Sequence, residues 1–459
     1  MPPEPGDILD LTIDTLAYGG RGVARHEGFV VFVRGAVPGD RVSVRVTKRK
    51  SGYAEARLLD LLAASPVRVD PVCGRHGECG GCEWQTISYA AQLQYKQAQV
   101  VESLQHIGGL IAVGDGDTDG YVLQPIAGMD EPWRYRNKME FSFGTDEQGR
   151  PLLGLHRRGS WREVVEVSDC RLAPHPINLA RQAVADACRA LGLRSRDRAT
   201  QRGLLRHLVV RSGFSSGDLL VNLFVSRRFP EEDALLERVL ASCPVTGFAV
   251  TVNDSPADAA VGGPATMLLG PPHLRETLAG VPLRVPVTAF LQTNPRMCDV
   301  LYRTALGFAA PDRDGSAYDL YCGIGALSLA LAGSASRVDA VEVVPEAIEA
   351  ARVNADINGV RNVVFHVGDV RAVLKQPPCA ATPAVIVADP PRAGMSRKAL
   401  ARMAALGAER IVYVSCNPTT LAGNARELAE AGYRLARVAP VDMFPQTHHI
   451  ETVALFSRA

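Results

Sequence analysis

The sequence predicts a multidomain protein with an N-terminal OB-like β-barrel, an α+β central domain with a cysteine cluster, and a C-terminal α/β domain of Rossmann-like topology. Three observations lead to this fold class. The chain has 459 residues, which is too many for a single hydrophobic core. Residues 7–62 alternate short β-branched runs with glycine turns. From about residue 286, strand and helix patterns alternate, as in a parallel sheet with crossover helices. The predicted domains are therefore 1–65, 66–285 and 286–459.

The composition is typical of a globular protein of the cytoplasm. Hydrophobic residues make up 47% and charged residues 22% of the chain. No apolar run reaches the roughly 18 residues of a transmembrane helix, and the polar start Met1–Asp7 lacks the apolar core of a signal peptide. The 10 cysteines are unevenly spaced, and a chain of this size needs no disulfide framework. We therefore expect a cytoplasmic monomer that makes no membrane contact.

Basic residues are concentrated in two stretches, although the net charge of the chain is only +1. One group lies in the predicted barrel and is faced only by Glu55: Arg41, Arg45, Lys48, Arg49, Lys50 and Arg57. The other lies in the central domain and is faced only by Asp197: Arg194, Arg196, Arg198, Arg202, Arg206 and Arg211. Such patches suit contacts with nucleic-acid phosphates, and solvated surface charge is the alternative interpretation.

The barrel is predicted from five short strands in about sixty residues, among them Leu9–Ile13, Val30–Val33 and Arg41–Val46. Small barrels of this type commonly bind nucleic acid. The segment Leu16–Arg25, followed by Val37–Asp40, resembles the TRAM domain found on RNA-modifying enzymes. A barrel with a purely structural role is the alternative.

A cysteine cluster opens the central domain. Cys73, Cys79 and Cys82 are spaced by five and then two residues among glycines, which let the backbone fold tightly around one centre. Cys170 is the next cysteine and the candidate fourth ligand. Four thiolates fit zinc or a [4Fe–4S] cluster. Because zinc sites usually combine two close cysteine pairs, a lone distal cysteine favours iron–sulfur. The spacing differs from that of radical enzymes that use S-adenosylmethionine.

The rest of the central domain is predicted as a helix over 84–107, a flexible loop over Gly108–Gly120, and strands at Met139–Phe143, Leu204–Arg211 and Leu219–Val225. Asn253–Ala265 is predicted as a loop insertion. The segment Trp133–Lys138 interleaves aromatic and cationic residues, a composition that favours base stacking and phosphate contact. A solvated edge strand is the alternative for that segment.

The C-terminal domain begins with a nucleotide-type loop. The strand that ends at Tyr321 runs into Gly323 and Gly325, which allow close approach of a ligand to the backbone. Ser328 occupies the third position of a GxGxxG pattern, which argues against a dinucleotide such as NAD. Glu342 ends the next strand, where an acid accepts hydrogen bonds from ribose hydroxyls. Asp369 follows the third strand and is placed to reach an adenine edge. Together they suggest an S-adenosylmethionine site.

The last strands carry the residues with reactive chemistry. Asp389–Arg392 follows the fourth strand as a rigid Asp-Pro-Pro-Arg turn, of the kind that holds flipped bases in nucleic-acid methyltransferases. The fifth strand, Ile411–Val414, ends at Cys416, and a cysteine at this edge of the sheet is a candidate nucleophile. Glu451 opens the final apolar run. Packing for the cysteine and solvation for the glutamate are the alternatives.

These motifs together resemble the class I RNA 5-methyluridine methyltransferases, in the branch with a TRAM domain and an iron–sulfur cluster. They follow the order of that family along nearly the whole chain: the four cysteines, Tyr135–Lys138, Phe290–Asn294, Asp319–Gly325, Asp389–Arg392, Ser415–Pro418 and His449–Glu451. One departure is Ala326, where many relatives carry asparagine beside the methionine part of the cofactor.

The resemblance implies a role for each matching residue. It implies S-adenosylmethionine contacts for Gln292, Tyr321, Glu342, Asp369 and Asp389. It also implies that Cys416 is the nucleophile that adds to uracil C6 and that Glu451 is the general base that removes the C5 proton. For the cluster it implies a structural or RNA-positioning role.

Other thiols and bases compete for these roles. Cys322 lies among the glycines of the cofactor loop and is assigned to binding, whereas His448 and His449 rank below Glu451 as bases. Four further cysteines are assigned to packing or the surface: Cys188, Cys243, Cys298 and Cys379.

Three questions about function stay open at this point. A cytosine-C5 methyltransferase normally has a second cysteine after its fourth strand, where this chain has Asp389-Pro390-Pro391, so uracil is favoured. The TRAM domain and the cluster favour 23S rRNA as the target RNA, with uridine 54 of tRNA as the alternative. A non-catalytic iron–sulfur RNA-binding protein is the alternative of another class.

Overall fold

The computed structural model describes residues 2–117, 119–257, 259–260, 262–310, 314–378 and 381–459. Its N-terminal domain is a six-stranded sheet with the order β1-β5-β6-β4-β3-β2. The strands are β1 (Ile8–Thr12), β2 (Thr15–Ala17), β3 (Arg21–His26), β4 (Phe29–Arg34), β5 (Arg41–Arg49) and β6 (Tyr53–Ala63). Along β5 the valines at 42, 44 and 46 are buried while alternate residues face outward, which is the period of two of a sheet with one covered face. The sixth strand beyond the expected five is the three-residue β2, which is too short for an alternating pattern to show.

The central part of the chain forms a seven-stranded sheet, β11-β10-β9-β12-β13-β14-β15, with two helices on it and a hairpin after it. Its elements are α1 (Tyr89–His106), β7 (Ala112–Val113), β8 (Tyr121–Leu123), β9 (Lys138–Thr145), β10 (Pro151–His156), β11 (Val164–Glu166), α2 (His175–Ala190), β12 (Leu205–Ser212), β13 (Leu219–Val225), α3 (Glu232–Ser242), β14 (Gly247–Val252), β15 (Ala265–Leu269), β16 (His273–Leu278) and β17 (Val281–Pro286). The strands predicted near residues 139, 204 and 219 are present as β9, β12 and β13.

The C-terminal part is built on a nine-stranded sheet with the order β20-β19-β18-β21-β22-β24-β23-β8-β7. Its elements are α4 (Pro295–Ala309), β18 (Ser316–Leu320), α5 (Ala326–Ala332), β19 (Arg337–Glu342), α6 (Pro345–Ile357), β20 (Val363–Val367), α7 (Val370–Val373), β21 (Val385–Ala388), α8 (Arg397–Ala405), β22 (Arg410–Ser415), α9 (Pro418–Glu430), β23 (Tyr433–Val441) and β24 (Glu451–Arg458). Strands β18 to β22 are parallel, as expected, and β24 runs antiparallel to both of its neighbours. Large apolar clusters cover the two faces of this sheet.

Two short strands from the central part of the sequence belong in space to the C-terminal sheet. Strand β8 pairs in parallel with β23, and β7 pairs with β8 at the edge. The helix α1 packs against α9. The expectation of a structureless loop over residues 108–120 is therefore wrong at Ala112–Val113, because β8 offers that segment an edge to pair with. Thr118 of that loop lies outside the described residues.

Two of the six arginines in the second predicted basic patch are internal, which corrects the expectation of a phosphate-binding surface for those two, whereas Arg194 and Arg202 are exposed. Arg206 is 7% exposed and donates to the carbonyl oxygens of Asn253 and Ser255 at 2.7 and 2.6 Å. Arg211 is 4% exposed and donates to the carbonyl oxygen of Ala289. These guanidinium groups hold loop backbone in place because buried carbonyls need donors. The 253–265 loop itself lies between β14 and β15 as expected, although residues 258 and 261 are outside the described residues.

Within the described ranges, no helix has the length and apolar character needed to cross a membrane.

Candidate active site

A large cavity of about 1750 Å³ opens at the carboxyl ends of the parallel strands β18 to β22. This edge is where open α/β sheets bind ligands, because the loops that follow the strands diverge there. The structure brings all the predicted cofactor and catalytic residues to this one cavity: Gln292, Tyr321, Glu342, Asp369, Asp389, Cys416 and Glu451. Residues that are up to 159 positions apart in the chain, from 292 to 451, therefore share one space.

One end of the cavity is formed by the glycine loop between β18 and α5. Tyr321 adopts φ 68° and Gly323 and Gly325 adopt φ 54° and 83°, so the loop turns sharply under the cavity. The Glu342 carboxylate is fixed by N–H groups of Gly323, at 3.1 Å, and Val343, at 2.8 Å. A carboxylate that is held in this way still has lone pairs for the two hydroxyls of a ribose.

Sequence reasoning missed the role of Asp319 in shaping this loop. Asp319 is buried at the end of β18, and the hydroxyl of Ser328 on α5 donates to its carboxyl. Burial raises the pKa of Asp319 to about 6. The serine that breaks the GxGxxG pattern therefore ties the first helical turn to the strand. An acid four residues before the first glycine of the loop, together with a hydroxyl residue on the following helix, is the sequence signal that points to this contact.

Cys416 lines the same cavity, in the turn between β22 and α9. The Asn417 side chain caps α9 by accepting from the N–H of Thr419 at 3.1 Å, and Pro418 starts the helix. The Ser415 hydroxyl donates to the carbonyl oxygen of Asn417 at 3.0 Å. The thiol is therefore presented on a rigid strand-to-helix turn rather than on a flexible loop.

Glu451 reaches Cys416 through the register of two antiparallel strands. Ser415 on β22 pairs with Thr452 on β24, so the residues one step further, Cys416 and Glu451, leave the ladder side by side. Glu451 is 3% exposed, and its Oε2 has no hydrogen-bond partner among the described residues. A buried carboxyl oxygen without a partner is costly unless it serves a ligand.

The acids around the thiol perturb one another. Burial, and then the charge of Asp389, raise the pKa of Glu451 well above its usual range. Burial and the nearby Asp319 raise the pKa of Asp389 to about 7. Burial, followed by the charges of Glu451 and Asp389, raises the pKa of Cys416 to about 11, and Arg392 acts in the opposite direction. Titratable groups with such shifts are typical of catalytic sites.

The structure also describes the surroundings of most of the competing thiols and bases. Cys322 is 8% exposed in the cofactor loop. The Nδ1 of His448 lies 2.5 Å from a carboxylate oxygen of Glu83, and burial lowers the pKa of His449 to about 4. Cys188, Cys243 and Cys298 are buried in the core, as expected, and Cys379 lies outside the described residues.

The four cysteines predicted as ligands line a second, smaller cavity of about 140 Å³: Cys73, Cys79, Cys82 and Cys170. Gly81 and Arg136 line both cavities, so the cysteine loop forms part of the wall of the first. Within the described residues, no group of three or more His, Cys, Asp or Glu side chains is arranged to hold a metal ion. The structure thus gathers the four thiols without defining a metal site.

The segment Trp133–Lys138 does not present the stacking surface that its composition favours. Tyr135 is fully buried, and its hydroxyl donates to the carbonyl oxygen of Pro445 at 2.9 Å. Arg134 forms an ion pair with Asp169 at 2.6 Å. The physical reason is that Tyr135 packs against the loop 442–449 and Arg134 is held by Asp169, whereas Arg136 lines both cavities.

The fold and the site define the class of protein: a Rossmann-like methyltransferase domain that carries a thiol and a carboxyl at its sheet edge, with an N-terminal barrel attached. Comparison with known proteins gives the family. A model described as tRNA (Uracil-5-)-methyltransferase matches residues 281–368 and 380–459, and the TRAM domain model matches residues 2–59. Neither model covers the four cysteines.

Full-length relatives agree with this assignment. An uncharacterized RNA methyltransferase of Halalkalibacterium halodurans is 38% identical over 99% of this chain and 98% of its own length. Another uncharacterized RNA methyltransferase, from Chlorobaculum tepidum, is 38% identical over 99% of this chain and 97% of its own length. The crystal structure of Pyrococcus abyssi tRNA (uracil-54, C5)-methyltransferase in complex with S-adenosyl-L-homocysteine has a TM-score of 0.78 at 25% identity and covers 97% of this chain and 99% of that one. The chain belongs to the RNA uracil-5-methyltransferase family and is a methyltransferase, which rules out a non-catalytic protein.

Proposed function

We propose that this protein transfers a methyl group from S-adenosylmethionine to C5 of a uridine in RNA, with Cys416 as the nucleophile and Glu451 as the general base. The observation that carries the proposal is the register of β22 and β24: Cys416 and Glu451 are the residues next to the terminal Ser415–Thr452 pair, on the same side of it. They lie in the same cavity as the fixed carboxylate of Glu342. A nucleophile, a base and a nucleoside-binding acid are the parts that this reaction needs.

The chemistry follows from the two reactive side chains. The thiolate of Cys416 adds to C6 of the uracil ring, which places electron density on C5. When bound, S-adenosylmethionine supplies an electrophilic methyl group on its sulfonium. The carboxylate of Glu451 then removes the C5 proton, and the C6–S bond breaks with return of its electrons to the cysteine sulfur. Because the pKa of Glu451 is raised, this carboxylate is a stronger base than an exposed one.

The residues present fit S-adenosylmethionine. Glu342 offers oxygens for the ribose, and Asp369, which caps α7 by accepting from the N–H of Ala372 at 3.1 Å, follows the adjacent strand. Gln292 is 8% exposed and borders the cavity near the glycine loop. We assign Gln292, Tyr321 and Asp389 to the methionine side and the reacting groups, in keeping with the family resemblance.

We also propose that the four-cysteine cavity holds a [4Fe–4S] cluster through Cys73, Cys79, Cys82 and Cys170. Four thiols around one cavity of about 140 Å³ provide the donor set and the space for such a group. Zinc bound by the same four thiolates is the alternative for this donor set. Iron and acid-labile sulfide measured in protein purified without oxygen test this, and a colourless protein with bound zinc would contradict it.

An arginine row on the barrel supports binding of the RNA backbone. Arg34 on β4 pairs in register with Arg57 on β6, which pairs with Arg45 on β5, and all three are exposed. Partners in register lie on the same face at strand spacing, where like charges repel, so an anion such as a phosphate stabilises them. Arg34 also lies near Glu83, which lines the catalytic cavity. We propose that this row carries the strand that leads to the target uridine.

We propose two target RNAs. The TRAM domain and the cysteine cluster favour 23S rRNA. The likeness to a tRNA (uracil-54, C5)-methyltransferase over 97% of this chain supports tRNA. Mapping of 5-methyluridine in rRNA and tRNA from a strain that lacks the gene decides between them. Restoration by the wild type but not by Cys416→Ala tests the catalytic assignment, and restoration by the variant would refute it.

A further inference from the structure

The turn between β2 and β3 reaches from the N-terminal domain to the wall of the catalytic cavity. Gly20 in this turn has φ 81°, and a Cβ atom there would lie 2.9 Å from Nε1 of Trp84 and 3.2 Å from Cβ of His448. Only glycine fits such a close approach. The turn is therefore wedged between the end of the cysteine loop and the segment that leads to Glu451.

Packing and hydrogen bonds hold the turn in that position. Leu16 belongs to a buried cluster with Trp84 and Ile87, so the barrel and the cysteine loop share a core. The Gln99 amide on α1 donates to the carbonyl oxygens of Leu16 and Ala17, both at 3.3 Å. The residue that follows, Tyr18, is thus carried on a fixed piece of backbone rather than on a mobile loop.

Tyr18 touches the turn that presents the nucleophile. Its hydroxyl donates to the carbonyl oxygen of Cys416 at 3.4 Å. The Asn417 amide donates to the carbonyl oxygen of Arg392 at 3.3 Å. Burial raises the pKa of Tyr18, and the charge of Arg392 acts in the opposite direction. The Cys416–Asn417 turn is therefore tied both to Tyr18 of the barrel and to the backbone of Arg392.

The charged groups around the Cys416 thiol determine how readily it ionises. Asp389 and Glu451 face it from the ends of β21 and β24, and both disfavour the thiolate. Arg392, from the Asp-Pro-Pro-Arg turn, is the cation that favours it. Tyr413 on β22 and Tyr18 are the neighbouring phenols, and burial raises the pKa of both, so they stay neutral. A thiolate needs a nearby cation to form at neutral pH.

We propose that Tyr18 is a positioning residue of the catalytic site. By holding the Cys416–Asn417 turn, which is also tied to the Arg392 backbone, it keeps the thiol beside the Arg392 guanidinium, so that the N-terminal domain contributes to thiolate formation as well as to RNA binding. The inference rests on the proposed role of Cys416 as nucleophile. It assigns to the barrel a task inside the active site, which a domain that only docks RNA would not have. The hydroxyl makes the contact with Cys416, so phenylalanine cannot replace it.

The test is alkylation of Cys416 by iodoacetamide in the full-length protein between pH 7 and pH 10, without RNA or S-adenosylmethionine. Trypsin releases Cys416 in the peptide 411–426, which contains no other cysteine, so mass spectrometry follows this thiol alone. We expect Arg392→Gln to slow alkylation at pH 8 by about threefold to tenfold, because an adjacent charge shifts a pKa by about one unit and solvent screening weakens an exposed pair. Tyr18→Phe should slow it by about twofold to fivefold on the same reasoning. Arg392→Lys should keep most of the rate.

The control is Arg397→Gln, which removes an exposed arginine on α8 that pairs with Glu430. It should alkylate like the wild type, and circular dichroism should show that all variants are folded. Wild-type pH profiles for both Tyr18→Phe and Arg392→Gln would overturn the proposal. The alkylation assay contains no RNA, so it is independent of the methylation assay. If the variants shift the alkylation profile but the wild-type gene restores no 5-methyluridine to the deletion strain, the proposed function is refuted and the inference stands. If 5-methyluridine is restored but the variants alkylate like the wild type, the inference is refuted and the proposed function stands.

Discussion

A buried ion pair anchors the loop that leads to Glu451, the proposed base, and the removal of this pair tests the structure. Lys96 on α1 and Asp442 have fully buried side chains, and Nζ lies 2.6 Å from Oδ1. The same ammonium donates to the carbonyl oxygen of Phe444 at 3.1 Å, and the hydroxyl of Tyr89 donates to Asp442 Oδ2 at 2.8 Å. The loop between β23 and β24 is therefore anchored to α1 just before Glu451.

The replacement Lys96→Met leaves the carboxylate of Asp442 buried without its cation. Breaking a buried pair in this way costs about 3–5 kcal/mol of unfolding free energy. The lost hydrogen bond to the Phe444 carbonyl adds about 1 kcal/mol. The double variant Lys96→Met/Asp442→Leu removes the stranded charge and should recover more than half of the loss, although Tyr89 then lacks its acceptor.

Urea unfolding, with hydrogen exchange of peptides from α1 and from residues 438–450, measures both effects. The matched control is Arg303→Ala, which breaks the exposed pair with Asp299 and should cost less than about 1 kcal/mol. A loss for Lys96→Met no larger than that of the control would refute the reasoning. So would a double variant that is no more stable than the single one.

Three further predictions concern the site itself. Glu451→Gln should still form the covalent adduct but release it slowly, so that a denaturant-stable protein–RNA species accumulates on gels. Cys416→Ala should give no such species in the same assay. Rapid turnover by Glu451→Gln would contradict the role of Glu451 as base. The pKa of Asp389 is raised to about 7, so its ionisation makes the folded state less stable as pH rises from about 4 to 7. Asp389→Asn should therefore be more stable than the wild type at pH 8, by up to about 4 kcal/mol, and equally stable at pH 4. Thermal unfolding at the two pH values measures this difference. Arg57→Glu should weaken RNA binding and reduce the slope of its salt dependence by about one, whereas Arg352→Glu on α6 should change neither; equal slopes would argue against the arginine row.

The sequence was informative where a local pattern decides the structure. The parallel strands, the helix Ala326–Ala332 and the cavity edge follow from runs of apolar residues that end in glycine or acid. The spacing of the cysteines was enough to expect four thiols together, and they line one cavity. Cys416 could be singled out because a strand ends there.

Sequence reasoning failed where a contact joins distant parts of the chain. Arg206 looks like a surface cation in the sequence, and only the path of the 253–257 backbone makes it a buried donor. Strand β7 forms because β8 and β23 supply an edge, which no pattern within residues 108–120 reveals. Tyr18 is separated from Cys416 by 398 positions, and nothing near it in the sequence indicates a contact with a nucleophile.

The placement of the β2–β3 turn bears on how catalysis and recognition are linked. The free thiol is a poor nucleophile because burial and two acids raise the pKa of Cys416 to about 11. RNA that binds across the barrel contacts the same domain that carries Tyr18, whose hydroxyl donates to the carbonyl oxygen of Cys416. The Coulomb attraction between the Arg392 guanidinium and the sulfur depends on their distance, and the turn that carries the sulfur is tied to both residues. If Tyr18 positions Cys416 as proposed, bound RNA has a physical route from the barrel to the proposed nucleophile, and Tyr18→Phe removes this route.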